Sequence, residues 1–210
     1  MPKASIVLAT YCPDEARRVL CEQSFQEIHR TGVPREEYEL IVVNNGGIHA
    51  DLIEGLNANI IITNSHNVGQ AAALNEGIAI ARSINLAIMD DDLSYKEGWL
   101  QVGLKMLNKY PKYVISLREY GNKYVTQTMK SGHKFARNAG GVWIMRRRLY
   151  WLVGRFAMGY YDYGGLWTRN LIRSGSRFVV SKTPFISHIG KNYSIIGNKK
   201  GLIRRYFDPE

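Results

Sequence analysis

Three consecutive carboxylates, Asp90, Asp91 and Asp92, follow directly after the apolar run at 85–89. A buried strand that ends in acids presents hard oxygen ligands, which suit Mg²⁺ or Mn²⁺ bound together with phosphates. Two carboxylates one residue apart can share a metal that neutralises a diphosphate as it leaves. A single Asp here would also be typical of a helix N-cap. Because three abutting carboxylates repel each other, we favour a metal or phosphate site.

His188 and Asp162 are the other side chains whose positions could serve chemistry. His188 follows the apolar segment at 185–187, where a histidine is usually no more than a polar strand end. Asp162 is the only acid between Glu119 and Asp208, which makes it a candidate for proton transfer. A turn or an N-cap is the alternative role for this aspartate.

The elements that must position these residues alternate between apolar strands and helices. We predict strands at 5–9, 39–43, 60–63, 85–90 and 113–116, and helices at 14–29, 50–56, 70–82 and 99–110. This pattern predicts an α/β fold with a mainly parallel sheet flanked by helices. Ligands of such sheets bind at the carboxyl ends of the strands, so Thr10, Tyr11, Asn44 and the three aspartates should share one rim.

The chain beyond Arg118 is less regular. Residues 119–139 are polar and basic, and they fit either a hairpin or a mobile loop. We predict a strand at 140–145, a helix at 166–174 and short strands at 178–180 and 185–187, forming a small mixed sheet in the C-terminal half. We expect the basic tail from 191 to 210 to be flexible.

The net charge of +10 is unevenly distributed. Residues 1–105 contain 8 Lys and Arg against 14 Asp and Glu, whereas residues 106–210 contain 20 against 4. Eighteen of the 23 aromatic residues also lie in the second half. Basic side chains interleaved with aromatics suit an anionic partner. A solvated basic surface or contact with anionic lipid are the alternatives.

Targeting and redox signals are weak in this sequence. No apolar run approaches the length of a membrane span, and the N-terminus leads straight into a strand pattern. Cys12 and Cys21 fit no metal or redox spacing, so we expect reduced thiols. The sequence therefore predicts a cytoplasmic protein without a transmembrane segment, either peripheral at a membrane or acting on DNA.

Two familiar phosphate-binding folds fit poorly. The first strand is followed by Thr10-Tyr11-Cys12-Pro13, without the glycine-rich turn of dinucleotide-binding or P-loop proteins. A phosphatase of the haloacid dehalogenase type also has acids after an apolar strand, but there they follow the first strand of the domain, and here they follow the fourth.

Four segments in order resemble family 2 glycosyltransferases of the GT-A fold. They are residues 4–11 (ASIVLATY), 67–77 (NVGQAAALNEG), 89–92 (MDDD) and 184–190 (PFISHIG). The second is similar to the family's N-x-G-x-A-x-A-x-N-x-G pattern and the third to its D-x-D. The resemblance implies a single Rossmann-like GT-A domain over 1–190, with a donor half at 1–105 and a basic acceptor half at 106–190.

The resemblance also implies a nucleoside diphosphate sugar as donor, UDP-sugar first, together with Mn²⁺ or Mg²⁺. It places Thr10, Tyr11 and Asn44 at the base and ribose, with Asn67 and Gly69 close by. Asp90 and Asp91 are placed with the donor. Asp92 and His188 are the implied metal ligands.

The resemblance further implies an inverting reaction with Asp162 as general base. Where the family commonly has a Glu-Asp pair, this chain has Asp162 alone, and where the family commonly has Asp, it has Asn44.

The acceptor has three interpretations. A glycan or glycolipid at an anionic or membrane surface is slightly favoured. The basic, aromatic second half also fits DNA that carries a hydroxymethylated base, which such an enzyme would extrude from the duplex. A non-catalytic module that binds nucleic acid or a sugar nucleotide is the alternative from another class.

Overall fold

The computed structural model describes residues 1–46, 50–118, 125–139, 142–157 and 163–189. Within these ranges the strands are β1 (Ala4–Thr10), β2 (Tyr38–Asn45), β3 (Ile60–Asn64), β4 (Asn85–Met89), β5 (Leu93–Tyr95), β6 (Val114–Ser116), β7 (Val125–Thr128), β8 (Lys134–Ala136), β9 (Trp143–Arg146), β10 (Phe178–Val180) and β11 (Ile186–His188). The helices are α1 (Glu15–Glu27), α2 (Ala50–Glu54), α3 (Gln70–Ile80), α4 (Trp99–Lys109), α5 (Arg147–Val153) and α6 (Tyr163–Arg173), with a 3-10 turn at Arg35–Glu37.

Nine strands form one sheet in the order β3-β2-β1-β4-β9-β6-β10-β8-β7. The first four run parallel, with Val7 of β1 in register with Ile41 of β2 and Ile88 of β4. β9 is antiparallel to both β4 and β6, and β10 returns parallel to β6. The mainly parallel α/β fold predicted from the sequence is confirmed.

The central strands are apolar on both faces because helices cover both faces. Alternate residues point to opposite sides, so Ile6 and Leu8 join a core under α1, α2 and α4, whereas Val7 joins a second core under α3, α5 and α6. Every residue of β1 and β2 is buried. The two cores hold the ends of these strands rigidly, which fixes the rim where the predicted site lies.

The second sheet is small and joins distant parts of the chain. β5 and β11 pair antiparallel, and Leu93 is in register with His188. Neither β5 nor α5 was predicted, because β5 has three residues that follow the acids directly and α5 is a short, basic helix. Of the two alternatives for the basic segment after Arg118, the described part forms a hairpin of β7 and β8.

The boundaries between donor half, acceptor half and tail are not tested and stay predictions. Residues 190–210, which contain the predicted tail, lie outside the described residues. Among the helices that are described, none is long and apolar enough to cross a membrane.

Candidate active site

The carboxyl ends of β1 and β4 meet at one rim and place Tyr11 beside the acids. The backbone N–H of Tyr11 donates a hydrogen bond to Asp91 Oδ2 at 3.0 Å. Thr10, the last residue of β1, is buried beneath this contact. Because β1 and β4 are neighbouring parallel strands, the Thr10–Tyr11 segment and the three aspartates come together as the sequence predicted.

A glycine lets the Tyr11 ring lie across the end of β2. Gly46 has a φ of +141°, and a Cβ added to it would lie 2.9 Å from Cε2 of Tyr11 and 3.8 Å from the backbone nitrogen of Asn67. Any larger residue would therefore displace the ring. This contact brings Tyr11 and Asn67 to the same side of the rim.

Amide hydrogen bonds hold the loop before α3 against β2. Asn45 donates from Nδ2 to Asn67 Oδ1 at 2.9 Å and accepts at Oδ1 from the N–H of Val68 at 3.0 Å. Asn67 Oδ1 also accepts from the N–H of Gly69 at 2.9 Å. The predicted donor residues Asn67 and Gly69 thus lie together, whereas these bonds do not include Asn44, which is buried in β2 next to Asn45. The sequence did not single out Asn45, which makes these bonds.

Asp90 faces the start of α3. Gln70, the first residue of that helix, donates from Nε2 to Asp90 Oδ1 at 2.8 Å. Burial, reinforced by the charges of Asp92 and Asp91, raises the pKa of Asp90 to about 6, although Arg118 and His188 act in the opposite direction. Asp90 therefore carries most of its negative charge at pH 7.

Asp92 and His188 are in contact although they are far apart in sequence. His188 Nε2 lies 3.0 Å from Asp92 Oδ2. The β5–β11 pairing causes this contact, and the N–H of Ile189 donates to the backbone oxygen of Asp92 at 3.0 Å. Burial raises the pKa of Asp92, but hydrogen bonds with His188 and Arg17 outweigh it and hold that pKa below its ordinary value.

Arg17 of α1 is a member of the site that sequence reasoning missed. Its Nη1 donates to Asp92 Oδ2 at 2.8 Å and its Nη2 pairs with Asp91 Oδ1. All three side chains are at most 10% exposed. Burial lowers the pKa of Arg17, but the charges of Asp91 and Asp92 outweigh it and raise that pKa. The guanidinium therefore stays charged and compensates two of the three aspartates.

Arg17 is placed by the local structure of the helix start. Asp14 is the N-cap of α1 and accepts from the N–H of Arg17 at 2.9 Å, so α1 begins a few residues after Tyr11 and its first turn carries Arg17 to the rim. The only feature of the sequence that could have indicated a role for Arg17 was its position soon after the Thr10–Tyr11 segment. This feature is weak, because an arginine at such a position is more often an exposed helix residue.

The chain as a whole is similar to known proteins. The sequence profile described as glycosyl transferase family 2 matches residues 15–172. The chain belongs to this family. No curated protein matches the chain.

Solved structures show the same GT-A fold. S. aureus TarS 1-349 aligns with a TM-score of 0.68 at 15% identity, over 90% of this chain and 60% of that one. A second structure of S. aureus TarS aligns with a TM-score of 0.69 at 16% identity, over 89% of this chain and 36% of that one. GalNAc-T7 with UDP, GalNAc and Mn²⁺ aligns with a TM-score of 0.66 at 12% identity, over 89% and 43% respectively. The chain thus spans from about a third to three fifths of the length of these proteins.

The segment at 67–77, which resembles the family pattern, also stabilises the packing of α3. Asn75 donates from Nδ2 to the backbone oxygen of Phe156 at 2.9 Å and accepts from the N–H of Phe156 at 3.1 Å. Its Oδ1 also accepts from the hydroxyl of Tyr150. In this family 2 glycosyltransferase, Asn75 therefore fastens α3 to α5 and its following loop.

The donor set beside Arg17 fits a divalent metal. Asp92 Oδ1 and His188 Nδ1 are buried and make no hydrogen bond with the described residues. A carboxylate oxygen and an imidazole nitrogen are both metal ligands, although Mg²⁺ prefers oxygen ligands alone. Asp92 and His188 would therefore be the residues that hold a divalent metal.

The two cysteines lie beneath the same rim. The Sγ atoms of Cys12 and Cys21 are 2.7 Å apart, and Cys21 Sγ lies 3.5 Å from Asp91 Oδ2. Both are free thiols, as expected. With Asp91 they form a group that could hold a metal ion, which their spacing in the sequence did not suggest. The hydrogen bond with Cys12, together with burial, raises the pKa of Cys21, so this thiol is protonated at neutral pH.

Asp162, the predicted general base, lies outside the described residues. Its role stays a prediction.

Proposed function

We propose that this chain transfers a sugar from a nucleoside diphosphate sugar, most readily a UDP-sugar, to a hydroxyl acceptor, with a divalent metal and with inversion. Membership in glycosyl transferase family 2 supports glycosyl transfer from a nucleotide sugar. The acceptor that we favour is a glycan or glycolipid at an anionic or membrane surface.

The observation that carries this proposal is the 3.0 Å contact between His188 Nε2 and Asp92 Oδ2 at the carboxyl end of β4. A separate sheet brings the histidine to the acid, and both side chains keep a buried atom without a hydrogen-bond partner among the described residues. Nε2 of His188 and Oδ2 of Asp92 face each other, and an imidazole nitrogen beside a carboxylate oxygen is a pair that a divalent metal can bind. A bound metal at this pair would neutralise the charge that develops on the leaving diphosphate.

The donor would lie across the ends of β1 and β2. The Tyr11 ring offers a face for the base, and the loop of Asn67 and Gly69 offers polar groups beside it. Thr10 and Asn44 would complete the base and ribose pocket, and Asp90 would accept from a ribose hydroxyl. The GalNAc-T7 structure, which was solved with UDP and Mn²⁺, supports a uridine donor and manganese in this fold.

Two residues would prepare the chemistry. Arg17 balances the charge of Asp91 and Asp92 and keeps the rim folded before the donor arrives. We assign the general base to Asp162, because an inverting transferase needs a carboxylate to take the proton of the acceptor hydroxyl, and no other acid lies between Glu119 and Asp208.

A screen of nucleotide sugars tests the proposal. Slow release of the nucleoside diphosphate without acceptor is measured with Mn²⁺, with Mg²⁺ and with EDTA. We expect hydrolysis of one UDP-sugar that requires metal and is lost in His188→Gln. The matched control is His133→Gln, which changes a histidine that accepts from the N–H of Lys182, away from the acids.

The same screen separates the acceptors. Hydrolysis accelerated by hydroxymethylated DNA would support the nucleic-acid alternative that the basic, aromatic second half allows. Hydrolysis that DNA does not accelerate directs the search to glycans and glycolipids. Donor binding without turnover by any nucleotide sugar, in protein shown to be folded, would contradict the transferase and support the binding module.

A further inference from the structure

Two neighbouring helices of the acceptor half carry the same outward pattern of residues. Arg148, Trp151 and Leu152 of α5 have the spacing i, i+3, i+4, and Arg169, Ile172 and Arg173 of α6 repeat it. Residues with this spacing lie on one face of a helix. All of these side chains are exposed. We call them together the α5–α6 face, which consists of Arg148, Trp151, Leu152, Arg169, Ile172 and Arg173.

The two helices are held together on one side of the large sheet. Their inner side chains, Tyr150 from α5 and Trp167 and Leu171 from α6, belong to the same core. Trp167 Nε1 donates to the backbone oxygen of Gly154 at 2.8 Å, which fastens α6 to the end of α5. The outer sides of both helices are therefore exposed on the same side of the large sheet.

The apolar part of this surface is unusually exposed. Leu152 is 73% exposed, Trp151 45% and Ile172 40%. Ile84, 60% exposed, extends the surface, since its backbone oxygen accepts from the N–H of Arg147 at the start of α5. Single exposed apolar residues are ordinary, but a cluster marks a site of interaction.

The charges around the apolar residues have one sign. The sequence contains no Asp or Glu at 142–157 or at 163–189, so no acid of either helix offsets the four exposed arginines. The fourth is Arg155, whose guanidinium lies 5.7 Å from the centre of the Trp151 ring. Arginine beside exposed Trp and Leu is the composition of surfaces that rest in the headgroup region of a bilayer.

We propose that the α5–α6 face docks the protein on an anionic lipid bilayer, with Trp151 and Leu152 entering the headgroup boundary and the arginines facing lipid phosphates. DNA is a poorer occupant, because a nucleic-acid backbone would gain little from Leu152 and Ile172. A second copy of the chain is also a poorer occupant, because a symmetric contact would bring two sets of arginines together.

The inference deepens the proposed function, since it places the acceptor at a lipid surface. It rests on the proposed function only where it connects bilayer docking to a glycan or glycolipid acceptor. Docking is measured without donor and hydrolysis is measured without vesicles, so either can fail alone.

The test is binding to vesicles of phosphatidylglycerol and phosphatidylcholine, compared with vesicles of phosphatidylcholine alone. All four tryptophans are described, and Trp99, Trp143 and Trp167 are at most 1% exposed, so quenching by brominated lipid reports on Trp151. We expect quenching with anionic vesicles. The double variant Trp151→Ser/Leu152→Ser should bind about 100-fold more weakly, and Arg169→Gln/Arg173→Gln about 25-fold.

Matched controls come from exposed apolar residues elsewhere. Val19 on α1 is 56% exposed and Ile61 on β3 is 45% exposed, and Val19→Ser/Ile61→Ser should bind vesicles like the wild type. Far-UV circular dichroism and thermal unfolding show that each variant is folded, independently of donor hydrolysis.

Four results would overturn the inference. The wild type could bind neutral and anionic vesicles equally well, or folded Trp151→Ser/Leu152→Ser could bind anionic vesicles as tightly as the wild type. The protein could bind duplex DNA through the arginines and not bind vesicles. It could also form a dimer that Trp151→Ser/Leu152→Ser dissociates. A fifth such result is the absence of quenching of wild-type Trp151 by brominated lipid, which does not depend on whether any variant folds.

Discussion

Arg17 and Asp92 form a buried ion pair, with Nη1 and Oδ2 2.8 Å apart, at the rim where the metal is proposed to bind. The same Asp92 oxygen is 3.0 Å from His188 Nε2, whereas Asp92 Oδ1 has no hydrogen bond with the described residues. One oxygen of Asp92 thus contacts Arg17 and His188, and the other is left for a ligand. The arginine and the metal can therefore occupy this carboxylate together.

Arg17→Met should destabilise the protein strongly. It keeps much of the side-chain length but removes the charge that compensates Asp91 and Asp92, which are 5% exposed. Leaving buried carboxylates without a partner typically costs about 3–5 kcal/mol, measured here as the free energy of unfolding in urea. Arg18→Met is the matched control, because the neighbouring Arg18 pairs with the exposed Asp51 and should matter little. Similar losses in both variants would contradict a special role for Arg17.

Mn²⁺ should raise the thermal stability of the protein through Asp92 and His188. A ligand that binds only the folded state at 100 times its dissociation constant adds about 2.7 kcal/mol of stability. We expect the rise in melting temperature to be reversed by EDTA and to be mostly lost in His188→Gln. His133→Gln, which alters a partly exposed histidine that accepts from the N–H of Lys182, should keep it. A shift that survives in His188→Gln would place the metal elsewhere, with Cys12, Cys21 and Asp91 as the first alternative.

The sequence was sufficient for the first parallel strands and for the rim at their ends, because local patterns determine both. The apolar runs of β1, β2 and β4 each continue into polar residues, and parallel strands must bring those residues to one edge. His188 was assigned to the metal only by resemblance, since its contact with Asp92 depends on β5, a three-residue strand without a pattern of its own. Arg17 could not be found, because burial of an arginine depends on partners that come from another part of the chain.

The cysteines illustrate the same limit. Their spacing of nine residues carries no information, yet the turn from β1 into α1 brings their sulfur atoms to 2.7 Å. Asn75 shows the reverse case, in which a residue of a recognised pattern fastens two helices and does not reach the rim.

Glu39 should make the fold sensitive to acid. Burial raises its pKa, but hydrogen bonds from the N–H of Arg82, the hydroxyl of Ser5 and the guanidinium of Arg82 outweigh it and hold that pKa below the ordinary 4.5. A carboxylate with a lowered folded pKa contributes stability above its unfolded pKa, and this contribution is lost as pH falls through the folded pKa.

The measurement is urea unfolding of wild type and Glu39→Gln at pH values from about 6 to about 3. Wild type should lose stability more steeply with acid than Glu39→Gln, whatever the difference at neutral pH. The exposed Glu36 supplies the control, and Glu36→Gln should keep the wild-type slope. Parallel curves for wild type and Glu39→Gln would show that other groups dominate the acid response.

Gly77 should be required for the close approach of α3 to the sheet, and through it for donor binding. A Cβ at this position would lie 2.6 Å from Val7 Cγ1, which forces a shift, and 3.2 Å from Val43 Cγ2, which is tighter than an ordinary contact. Gly77→Ala should therefore cost about 1–3 kcal/mol of stability and, by shifting the start of α3, raise the KM for the donor sugar nucleotide. Gly55→Ala is the control, because its nearest heavy atom would be the Leu52 backbone oxygen at 3.7 Å. If the clash is the cause, Val7→Ala should recover part of the loss in the double variant, whereas additive losses would show that the two sites do not interact.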